Sequence, residues 1–139
     1  MDDPHDLQRF VDAQAGVYDQ ALAELSAGAK RSHWMWFIFP QIAGLGFSAM
    51  ARRYAIASRL EAQAYLNHAV LGPRLIACTR AVCRVEGRSA HQIFGSPDDL
   101  KFRSSMTLFA AVAEDGIFVE ALRKYYGGQP DEATLQALA

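Results

Sequence analysis

Apolar positions recur at three- and four-residue steps along most of this chain, the spacing that stacks side chains on one face of an α-helix. Leu7, Phe10, Val11, Gln14, Tyr18, Ala21, Leu22 and Leu25 form one such stripe. It predicts a single long N-terminal helix over residues 4–27, with Asp3 as cap, Pro4 at the first helical position and Gly28 as stop. Residues 34–39 are consecutively apolar. A run this brief is too short to span a bilayer and suits either a buried strand or a short buried helix. Helical neighbours favour a helix, with Ser32 as its cap and Pro40 ending it.

Further helices are predicted through Met50 and Tyr54, over Arg59–Asn67, from Pro73 to a stop at Gly87, over Ala90–Phe94 and over Ile117–Tyr126. Ser96-Pro97-Asp98-Asp99 reads as a helix start: a serine cap, proline at the first position and acids in the first turn. The helix that follows, over residues 98–113, carries one stripe of Leu100, Ser104, Thr107, Leu108 and Ala111 and another of Phe102, Met106, Phe109 and Ala113. Two such faces imply burial nearly all round, hence a central helix. Pro130-Asp131 opens a last short helix with Leu135 and Leu138 facing inward. The expected architecture is all-α: one compact domain, residues 1–139, of about seven helices around the aromatic segment 34–39. With Trp36 taken as the centre of that segment, Trp36→Ala is expected to cost roughly 3–5 kcal/mol.

Composition narrows the function classes. Hydrophobic residues make up 51% and charged residues 21% of 139 positions, a globular balance. A formal net charge of −1 gives no long-range pull toward nucleic acid or an anionic membrane. The acidic opening Met1-Asp2-Asp3-Pro4 has no apolar run behind it, so no signal peptide is expected, and the chain reads as cytoplasmic. Cys78 and Cys83 point about 140° apart on a helix, unsuited to a mutual bridge, and read as reduced thiols. His5, His33, His68 and His91 show no metal-site spacing, and no metal or cofactor is expected.

Candidate chemistry gathers at two places. Lys30, Arg31 and His33 lead into Trp34 and Trp36, with Gln41 just beyond. An imidazole there could serve as acid, base or anion ligand, although a hydrogen-bonded histidine at a helix start explains it too. The second place holds Asp98, Asp99, Lys101 and Ser104. Ser104 and Thr107 need hydrogen-bond partners, either backbone carbonyls four residues back or a polar ligand.

The segment Ser32-His33-Trp34-Met35-Trp36-Phe37-Ile38-Phe39-Pro40-Gln41 closely resembles the signature of the bacterial domain-of-unknown-function family 1810. Glu61-Ala62-Gln63-Ala64-Tyr65-Leu66-Asn67-His68, Val70-Leu71-Gly72-Pro73-Arg74-Leu75, and the run from Ile93-Phe94-Gly95-Ser96-Pro97 to Thr107-Leu108-Phe109 fit the same pattern. The resemblance spans nearly the whole chain and implies a compact, mostly helical domain with no activity attached. A fainter one covers about a third of the chain. Phe94-Gly95-Ser96, then Lys101 and Ser104-Ser105-Met106-Thr107-Leu108-Phe109, is similar in layout to the end of the NADAR domain, a family of helical N-glycosidases acting on nucleotide-like or ADP-ribosyl substrates. Phe94 stands where that family has tryptophan, and its glycine-rich run is missing here.

Two functional readings follow. In the first, a polar-aromatic pocket takes a small anionic, nucleotide-like ligand through Lys30, Arg31, Trp34, Trp36, Gln41, Lys101 and Ser104. His33 and Asp99 are then the candidate catalytic pair for hydrolysis of an N-glycosidic bond. In the second, the surplus of aromatics serves a non-catalytic interaction module or a homodimer.

Overall fold

Gly16, with φ +74°, divides the N-terminal stripe into two helices, α1 (Gln8–Gln14) and α2 (Tyr18–Ser26). The expected single helix is therefore corrected to a broken one. The left-handed turn is open to glycine and lets the chain change direction while Phe10 and Leu25 both stay buried. The helix opens at Gln8 with Leu7 at the cap position, four residues later than Pro4, and Asp3 braces that start from outside, its carboxylate accepting from the N–H groups of Leu7 at 2.8 Å and Gln8 at 2.9 Å. The computed structural model describes residues 2–139; Met1, part of the segment read for a leader peptide, lies outside them.

The described residues form ten helices, three more than the sequence pattern suggests, because short turns punctuate what periodicity merges. The aromatic segment is a helix of one turn, α3 (Met35–Ile38), capped by Trp34 and not by Ser32. After it, residues 41–43 pair with Ile56 in a single parallel bridge: Ile56 N–H donates to Gln41 O and Ala43 N–H to Ile56 O, both at 2.8 Å. Between them stands α4 (Ala49–Arg53), capped by Ser48. The next two helices are α5 (Arg59–Asn67) and α6 (Leu71–Arg84), the latter starting two residues ahead of Pro73. A serine–glutamine capping box opens α7 (Ala90–Phe94).

The central helix α8 (Asp98–Ala110) is shorter than expected, and Pro97, in a cis peptide with Ser96, is its cap. Then follow α9 (Ile117–Tyr126), stopped by left-handed Gly127, and α10 (Glu132–Leu138). In α10 the inward residues are Thr134, fully buried, and Leu138, half-buried against the core, whereas Leu135 is 39% exposed. Phe102, Met106, Leu108 and Phe109 of α8 are fully buried. Phe102 stacks on Phe94 at 4.6 Å and meets Phe39 edge-on at 4.9 Å, while Phe109 lies against Tyr65 and Phe118. One core thus joins the aromatic segment to the central helix. Two of the hydroxyls on α8 find backbone partners, Ser104 donating to Leu100 O at 3.1 Å and Thr107 to Arg103 O at 2.8 Å, whereas the buried Ser105 hydroxyl has none among the described residues.

Candidate ligand-binding site

The basic lead-in to the aromatic segment folds onto a buried acid that the sequence reading passed over. Glu24 of α2 accepts from the backbone N–H of Arg31 at 2.7 Å and of Ser32 at 3.0 Å. It also accepts from the Ser32 hydroxyl, the Trp34 indole N–H at 3.1 Å and Gln20. Burial pushes this carboxyl up, but the donors from Ser32, Arg31 and Trp34 outweigh it and hold it at about 2. A charged residue at an inward position of an apolar stripe was the signal that could have revealed it.

This clamp fixes the fate of the first candidate cluster. Trp34 is fully buried. Lys30 reaches back over its ring at 5.0 Å, donates to Ser32 O at 2.7 Å and pairs with Asp98 at 2.9 Å. Arg31 and His33 are exposed. Asp99 is half-buried 3.4 Å from His91 Nδ1, and its backbone carbonyl accepts from the Tyr126 hydroxyl. Neither His33 nor Asp99 lines any of the concavities described below.

Four other candidates do come together. Trp36, Gln41 and Lys101 line a recess with a volume of about 10 Å³, room for one water molecule. Gln41 and Lys101 also line an adjoining groove of about 410 Å³, joined there by Ser104, Leu45, Phe47, Leu100 and Asp131. The groove runs between the loop that follows α3 and the outer face of α8, with the start of α10 at its far end. Its volume falls in the range of small-molecule sites, about 300–1,000 Å³.

The polar groups of this cleft are unequally engaged. The Gln41 side-chain amide makes no hydrogen bond among the described residues, although the residue is half-buried. Asp98 accepts Lys30 on one oxygen at 2.9 Å and meets Lys101 only at 3.7 Å on the other. Two lysines thus share one carboxylate, and the surplus positive charge sits on Lys101, which also lies 5.8 Å from the Trp36 ring. Three backbone donors in the first turn of α8 are already used: Asp99 N–H by Gly95 O, Leu100 and Lys101 N–H by Pro97 O.

Two more concavities lie elsewhere. One of about 450 Å³ is bounded by α5, α6 and the α8–α9 turn; another of about 480 Å³ follows the seam of α2 and α6 beside Arg80 and Arg84. Neither gathers any candidate from the sequence. Among the described residues no three His, Cys, Asp or Glu side chains are placed to hold a metal ion, and no helix is long and apolar enough to cross a membrane.

A solved structure, the conserved hypothetical protein Rv1873 from Mycobacterium tuberculosis, is similar over 98% of each chain, with 58% identity and a TM-score of 0.96. No curated protein matches. The family model described as a protein of unknown function (DUF1810) matches residues 4–138. With that match covering all but the ends, the chain belongs to the DUF1810 family.

Proposed function

We propose that this protein binds a small anionic ligand in the cleft between the loop after α3 and the outer face of α8, acting in the cytosol. The observation that carries the reading is the meeting of Gln41 and Lys101 at the junction of recess and groove, one with an unengaged amide and the other with surplus charge. A donor and a cation facing one apolar-walled space recognise an anionic group.

N-glycosidic hydrolysis draws no support from the placement of His33 and Asp99, so the function proposed is binding without bond cleavage. The acid that does line the groove, Asp131, spends Oδ2 on the backbone N–H of Thr134 at 3.0 Å and its hydroxyl at 2.6 Å. It is a helix cap rather than a base aimed at water.

A thermal-shift screen with small carboxylates, phosphates, nucleotides, NAD and ADP-ribose tests the reading. A ligand at about 100 times its Kd adds about 2.7 kcal/mol to stability, a readily visible shift. The shift is expected for wild type and absent in Lys101→Met. No shift with any anion at millimolar concentration refutes the proposal.

One observation favours the interaction-module reading as a second. Phe47 is 76% and Leu100 58% exposed on the walls of the same groove. Light scattering separates the two: a monomer at high protein concentration leaves the groove to a small ligand, and a dimer broken by Phe47→Ser makes it an interface.

A further inference from the structure

We infer that the ligand class of this cleft is a monocarboxylate with an apolar body and no second negative charge. The inference rests on the binding reading above and sharpens it from any small anion to one chemical class.

The charge layout is directional. Lys101 and Gln41 stand at the recess end. At the other end is Asp131, whose backbone N–H donates to the Thr107 hydroxyl at 2.8 Å. Thr107 is six residues beyond Lys101 on α8, about 9 Å along the helix axis. An anion at the Lys101 end therefore has a carboxylate downstream of it. A ligand carrying a second negative charge, such as a nucleoside diphosphate or a dicarboxylate, brings that charge toward Asp131 and is disfavoured.

The donor count agrees. One ammonium and one carboxamide N–H₂ match the two oxygens of a single carboxylate. A phosphate dianion asks for more donors, and the N–H groups of Asp99, Leu100 and Lys101 at that end are already spent on the Gly95 and Pro97 carbonyls. Between the charged ends the walls are Leu45, Phe47, Pro97 and Leu100. Buried there, an apolar chain or ring removes its own surface from water together with the exposed faces of Phe47 and Leu100. A headgroup alone, such as acetate, would leave those walls wet.

Titration calorimetry on the full chain tests this with matched probes: 3-phenylpropionate, 3-phenylpropionamide, acetate, phenylsuccinate and adenosine monophosphate. The inference expects 3-phenylpropionate to bind at least about tenfold more tightly than each of the others, a difference of about 1.4 kcal/mol. It also expects Lys101→Met and Gln41→Ala to weaken that probe and Lys101→Arg to keep most of the affinity, each variant retaining the wild-type urea midpoint. Tighter binding of phenylsuccinate or the nucleotide, lost in Lys101→Met, overturns the ligand class and leaves the anion cleft standing. No binding of any probe, or binding indifferent to both Lys101 and Gln41, overturns the cleft itself. Equal binding of acid and amide overturns the carboxylate requirement.

Discussion

The indole N–H of Trp34 donates to the Glu24 carboxylate at 3.1 Å, and both side chains are buried. This bond, with those from Arg31 and Ser32, binds the turn before α3 to α2 and so sets where the aromatic segment enters the core. Glu24→Ala leaves the Trp34 N–H buried without an acceptor. We expect a loss of roughly 3 kcal/mol, measured as a lower urea midpoint at unchanged slope.

The same carboxylate gives a pH signature. Its native pKa, about 2, lies below its ordinary value of 4.5, so the stability it contributes is fully present above about pH 4.5. It is lost as the pH falls toward 2, where the native state also takes up the proton. Urea midpoints between pH 5 and 2.5 should fall more steeply for wild type than for Glu24→Gln. Parallel curves would show that the clamp does not depend on charge.

The two tryptophans divide the roles that the sequence reading gave to one. Trp34 is fully buried and Trp36 is half-buried on the recess wall. The loss of roughly 3–5 kcal/mol expected for Trp36→Ala therefore moves to Trp34→Ala, and Trp36→Ala should cost about 1–2 kcal/mol. Chemical denaturation of the two variants side by side checks the order. A costlier Trp36→Ala would make Trp36 the organising residue after all.

Much of the helix inventory is legible from periodicity, and α7 and α9 end at strong local signals, Gly95 and Gly127. The break between α1 and α2 is not, since Gly16 sits inside an unbroken stripe and single glycines are tolerated within helices. Nor is the recruitment of Ser32 and Trp34 by Glu24, eight and ten residues away: a buried acid looks like any surface glutamate until its donors are in place. For the site, Trp36, Gln41 and Lys101 meet in the recess, and Gln41, Lys101 and Ser104 in the groove beside it. Lys30, Arg31 and His33 stand outside the cleft, because Glu24 binds the turn that carries them to α2 and Lys30 is spent on Asp98.

Gly72 is needed for the approach of α6 to α5. A Cβ there would lie 2.0 Å from the carbonyl oxygen of Leu66, a backbone atom that cannot swing aside. Gly72→Ala should destabilise by more than about 3 kcal/mol, and thermal unfolding reads it directly. A wild-type Tm would mean that the two helices part without cost.

The central claim is that the Gln41–Lys101 cleft is the binding site. Amide chemical-shift mapping during titration with 3-phenylpropionate tests it most directly. The account predicts saturable shifts gathered at Gln41, Phe47, Lys101 and Ser104, and their disappearance in Lys101→Met. Shifts centred on Arg80 and Arg84 in the α2–α6 seam, or none at all, would contradict it.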